Sequence, residues 1–295
     1  MGTPEYADKI LEKLILDSNF EIIAVFTQPD KPVGRKKIIT QPPVKITAVK
    51  NDIPVFQPHR LRESAETIKN LNPDFIVVGA YGQILSQEIL DIAPSINLHT
   101  SILPKYRGAS PIQQALLNGN SETGVTAMKM NIGLDTGDIL KIEKVKISDS
   151  WLLEDLYQKL TDMAGDLIID VLKNYDNLTP IPQKDSDATH CGKILKTDGK
   201  ISFQNADEVL RKYRAFTPWP SIYLNNGMKL LHIAQGIDGT FESGKILKVG
   251  KNSILVGCEN GSIEIFEVQP KSKNKMSMQS YINGRKLKVG DIFDN

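Results

Sequence analysis

Phe75-Ile76-Val77-Val78-Gly79 and Ser95-Ile96-Asn97-Leu98-His99 are the stretches of sequence that decide the fold. The first is apolar and rich in β-branched residues, and the second carries Ile96 and Leu98 between polar residues; both read as short strands buried in a parallel sheet. Phe20-Glu21-Ile22-Ile23-Ala24-Val25-Phe26 has the same character. Helical spacing of apolar residues fills the intervals, at residues 4–17, 42–50, 61–71 and 86–92. Because strand and helix alternate strictly, the sequence predicts an α/β fold built on a right-handed, Rossmann-like parallel sheet.

A pair of strands and a long helix are expected to complete this first domain. Residues 125–130 and 139–145 read as strands on either side of a Gly-Leu-Asp-Thr-Gly-Asp loop, and residues 151–175 carry apolar side chains on one helical face. A polar stretch with two prolines follows, which is typical of a linker. We therefore predict a first domain over residues 1–182, a linker over 183–199 and a second domain over 200–295.

The second domain differs from the first in the spacing of its predicted elements and in its net charge. After a helical segment at 205–215, short strands separated by glycine-containing turns are expected at residues 222–224, 229–234, 244–249, 253–258 and 262–268. Such spacing predicts a small OB-like β-barrel. From Lys200 onward there are 14 Lys and Arg against 9 Asp and Glu, net +5, compared with 22 against 26, net −4, before it. This excess of positive charge indicates a phosphate-bearing partner or only a solubilising surface.

Composition excludes several other classes of protein. Hydrophobic residues at 40% and charged residues at 24% describe an ordinary folded chain. Cys191 and Cys258 lie far apart without CxxC or Cys/His spacing, so neither a disulfide framework nor a metal site is expected. The sequence has no signal-peptide pattern and no apolar run of roughly 18 residues. We therefore expect a cytoplasmic protein that does not associate with membranes.

The chain begins on a turn. Met1-Gly2-Thr3-Pro4-Glu5 has the pattern of a turn that opens a helix, with Thr3 as N-cap and Pro4 at the first helical position. In a doubly wound sheet a central first strand ordinarily precedes such a turn. Two interpretations are open: the sequence starts at an internal methionine, which we favour, or the sheet closes in a different way.

Three polar side chains at predicted strand ends form a candidate catalytic site. Asn97 and His99 are two residues apart on one strand and share a face, and Asp135 follows His99 by 36 residues. Transfer of an acyl group to an amine passes through an oxyanion, which the Asn97 amide can stabilise. His99 can act as a donor when protonated or as a base when neutral. Asp135 can orient His99 or hold the water that carries the proton away.

Each of these residues also has a purely structural interpretation. A single histidine at a strand end is commonly a structural hydrogen-bonding group. Asn97 can cap the following turn, and Asp135 can fix the loop in which it lies. Their occurrence together at the carboxyl ends of strands favours catalysis, because open α/β sheets bind ligands there.

Longer motifs around these residues resemble a known family. Asn97-Leu-His-x-Ser-x-Leu-Pro-Lys-Tyr-Arg-Gly-Ala-Ser-Pro-Ile-Gln113, with Gly133-Leu-Asp-Thr-Gly-Asp138, resembles the signature of the 10-formyltetrahydrofolate-dependent formyltransferases. Nearly the whole chain shares the resemblance, although Thr100 stands where family members usually carry a small residue. The members that act on methionyl-tRNA are the most similar, through Met1-Gly-Thr-Pro-Glu-Tyr-Ala7, Phe26-Thr-Gln-Pro-Asp-Lys-Pro-Val-Gly-Arg-Lys-Lys37, Ala80-Tyr-Gly-Gln-Ile-Leu85 and Ala215-Phe-Thr-Pro-Trp-Pro220.

The resemblance implies a reaction and its co-substrate. It implies that Asn97, His99 and Asp135 are catalytic and that 10-formyltetrahydrofolate donates a formyl group, without a metal, to the α-amino group of methionyl-tRNA. The product would be formylmethionyl-tRNA for translation initiation. The implied folate contacts are Ser101, Ile102, Leu103 and Pro104, with Tyr81, Gly82, Gln83, Ile84 and Leu85 lining the pterin pocket beside the Asp135 loop.

Basic residues in both domains are candidates for contacts with the initiator tRNA. By resemblance the loop from Asp30 to Lys37 reaches the acceptor stem, through Arg35 above all and through Lys36 and Lys37. From composition alone, this loop could equally be a solvated, mobile segment. In the second domain Lys271, Lys273 and Lys275 are expected to bind phosphates. Phe216 and Trp219 are expected to pack between the domains rather than stack on a base. We expect a monomer.

Two rival functions remain open at this point. A formyltransferase that acts on a nucleotide sugar would share the catalytic domain, but the basic loop around Arg35 argues against it. A non-catalytic RNA-binding protein with a degenerate folate fold is the rival from another class, and the complete trio argues against that one.

Overall fold

The computed structural model describes residues 1–34 and 36–293. The chain divides into two compact units. The first comprises Met1–Pro111, Glu122–Lys146 and Tyr157–Cys191, and the second comprises Ile112–Ser121, Ile147–Leu156 and Gly192–Asn295. Arg35, for which an RNA contact is predicted, lies outside the described residues.

The predicted helices and strands occur in order along the chain, although the strand predicted over residues 20–26 is confined to residues 25–26 and several short strands were not predicted. The helices are α1 (Glu5–Leu16), α2 (Pro43–Lys50), α3 (Ala65–Leu71), α4 (Gln87–Leu90), α5 (Pro111–Leu117), α6 (Leu153–Lys173), α7 (Ala206–Phe216) and α8 (Met278–Arg285). The strands are β1 (Val25–Phe26), β2 (Lys31–Val33), β3 (Ile38–Thr40), β4 (Val55–Phe56), β5 (Ile76–Val78), β6 (Ser95–His99), β7 (Arg107–Gly108), β8 (Glu122–Lys129), β9 (Ile139–Lys146), β10 (His190–Cys191), β11 (Ile222–Tyr223), β12 (Lys229–Gln235), β13 (Ile246–Val249), β14 (Ile254–Gly257), β15 (Ser262–Gln269) and β16 (Met276–Ser277). Within the described residues, no helix combines the length and the apolar character that crossing a bilayer requires.

The sheet that contains β6 is mixed, so the prediction of a wholly parallel sheet is wrong. Its order is β5-β6-β8-β9, and only β5 and β6 are parallel. β8 runs antiparallel to both β6 and β9. β8 is buried over six consecutive residues, as a parallel strand would be, so its apolar pattern carries no information about its direction. β1 and β4 form a separate parallel pair.

Met1 and Gly2 lie between β1 and β5. The Gly2 N–H donates to the Phe26 carbonyl at 3.0 Å, and the Gly79 N–H donates to the Met1 carbonyl at 3.0 Å. Beside these two residues lies a cavity of ≈ 130 Å³, lined by residues 21–25, by helix α1 and by Phe75, Val77 and Gly79. Main-chain hydrogen bonds of Met1 and Gly2 therefore link the end of β1 to the residue that follows β5.

Helix α1 begins one residue later than predicted. Pro4 is its N-cap, and no side chain caps the helix. The hydroxyl of Thr3 instead donates to the Tyr81 carbonyl at 3.0 Å, which ties the start of the chain to the loop after β5. The predicted N-cap role of Thr3 is therefore wrong, because its hydroxyl has this tertiary partner.

The second unit is an antiparallel sheet rather than a closed barrel. Its strand order is β11-β12-β15-β14-β13, and β16 pairs with β15. Among the described residues the end strands β11 and β13 do not pair with each other. The predicted barrel closure is therefore not seen, since closure depends on a long-range pairing that local strand signals do not encode. Helix α7 packs on β11 and β12, and the Asn205 side chain caps it by accepting from the Glu208 N–H at 3.1 Å.

Candidate active site

Strand β6 presents two polar side chains on one face. Ile96 and Leu98 are 0% and 2% exposed. Because side chains alternate between the two faces of a sheet, Asn97 and His99 share the opposite face. His99 is buried and Asn97 is half-buried. Pairing with β5 on one side and β8 on the other fixes the end of this strand.

The imidazole of His99 has one nitrogen committed to the main chain. Its Nε2 lies 2.8 Å from the carbonyl oxygen of Tyr106, which can only accept a hydrogen bond, so Nε2 carries a proton. Nδ1 lies 3.6 Å from Oδ2 of Asp135. That distance allows an ion pair but is too long for a hydrogen bond. Nδ1 is therefore the nitrogen that can accept a proton in the neutral ring or donate one in the charged ring.

Residues 189–191 hold the loop that contains Tyr106. Tyr106 has a left-handed backbone with φ +62°, and its N–H donates to the Thr189 hydroxyl at 2.9 Å. The N–H of Arg107 donates to the Thr189 carbonyl at 2.8 Å, within the parallel pairing of β7 with β10. Gly108 has φ +122°, and a Cβ there would lie 2.2 Å from the Cys191 carbonyl oxygen. Only glycine fits where these two segments of the chain cross.

Cys191 is a structural thiol at this crossing. Its Sγ donates to the Tyr106 carbonyl at 3.3 Å, the same oxygen that His99 binds. Burial raises the pKa of this thiol above its ordinary value. Since the thiolate is the nucleophilic form, Cys191 is not activated for attack.

The turn between β8 and β9 brings Asp135 to His99. Asp135 has φ +53°, and its Oδ2 accepts a hydrogen bond from the Gly108 N–H at 2.8 Å. The turn is further closed by Asn131, whose Oδ1 accepts from the Gly133 N–H at 3.0 Å and from the Thr136 hydroxyl at 2.8 Å. The Asp135 side chain is 11% exposed, so its carboxylate lies at the edge of the solvent.

Thr126 orders the stretch that follows His99. It is fully buried on β8, and its hydroxyl donates to the Ser101 carbonyl at 2.7 Å while accepting from the Leu103 N–H at 3.1 Å. The side chains of Ser101 and Leu103 are buried. Ile102 and Pro104 are partly exposed, so among these predicted folate contacts they have the side chains that can reach a ligand.

The predicted pterin-pocket residues are also divided between core and surface. Tyr81 and Leu85 are each 2% exposed and belong to the core, and burial raises the pKa of the Tyr81 phenol to about 12. The Gln83 amide accepts from the Leu61 N–H at 2.8 Å and donates to the Pro58 carbonyl at 3.1 Å. Gly82 is exposed with φ +84°, and Ile84 is 80% exposed. Backbone groups and Ile84 are thus the parts of this loop that a ligand can contact.

The predicted RNA contacts are exposed in the described residues. Lys36 and Lys37 lie in the connection between the paired strands β2 and β3. The side chains of this hairpin include the exposed apolar residues Val33, Ile38 and Ile39. In the second unit the three predicted lysines after β15 are exposed, namely Lys271, Lys273 and Lys275.

Lys275, Phe216 and Trp219 differ in their surroundings. Lys275 lies 3.6 Å from Glu267, so its charge is partly compensated. Phe216 is 1% exposed, as expected for a packing residue. Trp219 is 58% exposed, and its packing between the domains stays a prediction.

Several residues of the site escaped the reasoning from sequence. Tyr106 and Gly108 contact His99 and Asp135 through main-chain groups, and Thr126 orders the residues after His99 from a neighbouring strand. Gly108 is the one with a signal in the sequence, since a glycine directly after a basic residue in a Pro-Lys-Tyr-Arg-Gly run indicates a turn with a special backbone conformation. The other contacts depend on pairings that no local pattern reveals.

The arrangement can stabilise a developing negative charge and move one proton. The half-buried Asn97 amide can donate to an oxyanion, since within the described residues it makes no side-chain hydrogen bond. His99 Nδ1 can donate beside it, and the Asp135 carboxylate can accept a proton or orient a water. Acyl transfer to an amine needs these groups and no side-chain nucleophile.

Comparison with known proteins gives the same assignment for both halves of the chain. Residues 1–172 match the family described as formyl transferase, and residues 193–286 match the formyl transferase C-terminal domain. The methionyl-tRNA formyltransferase of Sulfurimonas denitrificans is 55% identical over 294 residues, which is 99% of this chain and 97% of that protein. The methionyl-tRNA formyltransferase of Nitratiruptor sp. is 53% identical over 298 residues, with 99% and 98% covered.

A solved structure shares the fold. The N-formyltransferase of Helicobacter canadensis, in complex with folinic acid and dTDP-3-aminofucose, superposes with a TM-score of 0.67. The identity is 20%, and 90% of this chain and 96% of that chain are covered. At this level of identity the similarity concerns the fold alone.

Proposed function

Because the chain belongs to the formyl transferase family, and within it to the methionyl-tRNA formyltransferases, we propose that it transfers the formyl group of 10-formyltetrahydrofolate to the α-amino group of methionyl-tRNA. The observation that carries the proposal is the pairing of His99 with Asp135 at 3.6 Å beside Asn97. The product is formylmethionyl-tRNA, and the co-substrate leaves as tetrahydrofolate.

The reaction begins with attack by the neutral α-amine. Its nitrogen forms a bond to the formyl carbon, and the formyl oxygen becomes an oxyanion. Asn97 donates to this oxygen through its amide, and His99 donates through Nδ1 in the charged ring. The free α-amine has a pKa of roughly 7.7 to 8.0, so a useful fraction is neutral at pH 7 without a strong base.

Collapse of the intermediate breaks the bond between the formyl carbon and N10. The attacking nitrogen loses a proton and N10 gains one, so the proton count balances. Asp135 is suited to this relay, because its carboxylate faces Nδ1 of His99 and is 11% exposed to solvent. The Gly108 N–H, at 2.8 Å, keeps Oδ2 in position during the transfer.

The folate contacts are proposed for the surface that the loops after β5 and β6 offer. Support comes from the partly exposed Ile102 and Pro104 and from Ile84, which is 80% exposed. The tRNA contacts are proposed for Arg35, Lys36 and Lys37 and for Lys271, Lys273 and Lys275. Two observations support that assignment. The described lysines of this set are exposed, and the net charge beyond residue 199 is +5.

One assay tests the proposed function against its rivals. The protein is incubated with 10-formyltetrahydrofolate and, in separate reactions, with methionyl-tRNA, glycinamide ribonucleotide and an amino-sugar nucleotide. We expect formylation of methionyl-tRNA only. Formylation of the sugar nucleotide in its place, or of no acceptor, contradicts the proposal.

A further inference from the structure

We propose that Gln183 is a positioning residue that holds the turn of residues 135–137, and with it the Asp135 carboxylate, against His99. The inference rests on the role given to Asp135 in the proposed function. Gln183 lies where the sequence predicts the start of a linker, and it belongs to the first compact unit together with His99 and Asp135.

Asp135 needs such a support. A non-glycine residue in the left-handed region, here with φ +53°, costs free energy and persists only where its surroundings fix it. The two residues before it, Gly133 and Leu134, are exposed, so the outer side of the turn has little packing. The carboxylate must nevertheless stay close enough to act on Nδ1 of His99.

The Gln183 amide supplies two hydrogen bonds to the main chain of the turn. Its Nε2 donates to the Asp135 carbonyl at 2.9 Å and to the Gly137 carbonyl at 2.7 Å. One NH₂ group therefore bridges both ends of a three-residue segment. Because the backbone of Asp135 is held from one side and its carboxylate by Gly108 from the other, rotation of the residue is restricted.

The oxygen of the same amide is fixed by a buried guanidinium. Oε1 of Gln183 accepts from Nε of Arg107 at 3.0 Å and from its terminal nitrogen at 2.9 Å. Arg107 is 4% exposed, and its other close partner is the 87% exposed Asp185 at 2.9 Å. Arginine donates and cannot accept, so the orientation of the amide is determined.

These contacts form a closed ring. Arg107 holds Gln183, Gln183 holds Asp135, and Asp135 is held by the N–H of Gly108, the residue next to Arg107. The ring needs an acceptor toward Arg107 and two donors toward the turn in one short side chain. Glutamate supplies only the acceptor, and methionine supplies neither, although both are close in size to glutamine.

The difference between these two side chains makes the test specific. Gln183→Glu keeps the partner of Arg107 but removes both donors, and Gln183→Met removes all three interactions. If Gln183 acts through the turn, both variants lose about tenfold or more in kcat, with little change in KM for the folate. Normal kcat in Gln183→Glu with loss only in Gln183→Met overturns the inference, because Arg107 would then be the group that matters.

A double substitution separates positioning from a general effect on the fold. In Asp135→Asn the carboxylate is already lost, so adding Gln183→Glu is expected to slow single-turnover formylation by no more than about twofold. If the double variant is slowed by the product of the two single-variant factors, the inference is overturned. Normal kcat in Asp135→Asn alone refutes the role of Asp135 in the proposed function, and the role of Gln183 with it.

A readout without turnover and a matched control complete the experiment. Amide hydrogen exchange at Gly108 is expected to become faster in Gln183→Glu while exchange in β14 and β15 stays the same. Asp185→Asn removes only the negative charge of the exposed partner of Arg107, and we expect its kcat to stay within about twofold of the wild type. Unchanged exchange at Gly108 in Gln183→Glu contradicts the proposal even if the variant is slow.

Discussion

The Nε2 atom of His99 lies 2.8 Å from the Tyr106 carbonyl oxygen, which reserves Nδ1 for chemistry. Replacing His99 by glutamine or by asparagine tests the two ring nitrogens separately. The terminal nitrogen of glutamine can reach the place of Nε2, and the terminal nitrogen of asparagine can reach the place of Nδ1.

His99→Gln is therefore expected to retain the bond to Tyr106 and to lose the donor in the site, with kcat reduced by about 10² or more. His99→Asn is expected to retain more activity than His99→Gln. Single-turnover formylation and thermal unfolding of both variants provide the measurement. A His99→Gln variant that is faster than His99→Asn contradicts the assignment of Nδ1.

Asn97→Ala removes the neutral donor of the site. We expect kcat to fall by about 10² with thermal stability nearly unchanged, because within the described residues the half-buried amide makes no hydrogen bond that the substitution would remove. Asn252→Ala, at an exposed position of the second unit, serves as the control. A near-normal single-turnover rate in Asn97→Ala removes this residue from the mechanism.

Gly108→Ala is expected to damage both stability and activity. The added Cβ would lie 2.2 Å from the Cys191 carbonyl oxygen, so β7 and β10 must separate, and the N–H that binds Asp135 moves with them. We expect a loss of about 1–3 kcal/mol in the free energy of unfolding, together with a fall in kcat.

Gly284→Ala is the matched control for this substitution. Gly284 lies in α8 with open space around its Cβ position, so alanine is expected to be neutral or to stabilise the protein by up to about 1 kcal/mol. Urea unfolding measures both variants, and equal midpoints for the two would be inconsistent with the crowding at Gly108.

The lysines after β15 are expected to contribute to the salt dependence of tRNA binding. Replacing Lys271, Lys273 and Lys275 together by alanine removes up to three phosphate contacts, so the slope of log Kd against log salt concentration should become shallower by about 2. The corresponding triple arginine variant keeps the charge and should keep the slope. KM for the folate should not change. Identical slopes for the alanine variant and the wild type would place the RNA contacts elsewhere.

Asp17 is expected to stabilise the first unit in a pH-dependent way. Hydrogen bonds from Lys173 and then Asn19 lower the pKa of its carboxyl to about 2. A lowered pKa stabilises the folded state above the unfolded value of about 3.9, and this stabilisation is lost as the pH falls toward 2. Asp17→Asn should therefore lower the urea midpoint at pH 6, and the difference should shrink between pH 4 and pH 2. Asp74→Asn, at an exposed position, serves as the control.

Local patterns in the sequence predict the elements better than their arrangement. Apolar periodicity correctly indicates α1, α6 and β6, since the spacing of apolar residues along one element determines which of its faces is buried. The direction of β8 could not be predicted, because a strand buried on both faces has the same composition in parallel and antiparallel sheets. Barrel closure failed for a related reason, as pairing of the end strands is a long-range property.

The candidate site shows the same division. Asn97, His99 and Asp135 can be found because their residue types and strand-end positions suggest chemistry. Gln183 could not be found, since its partners lie 46 to 76 residues away and its own surroundings have the polar, proline-containing composition of a linker. The carbonyl of Tyr106 is equally invisible, because every residue has one.

The β8–β9 pair has a consequence for how this sequence can change during evolution. The position of Asp135 is set by the number of residues that separate it from Met128 and Ile139, which are paired in the register of β8 and β9. An insertion or deletion of a single residue between them displaces the carboxylate or shifts the register, even if every residue of the site is retained. Related proteins should therefore vary in length in the exposed hairpin of β2 and β3 and keep the spacing from 128 to 139 constant.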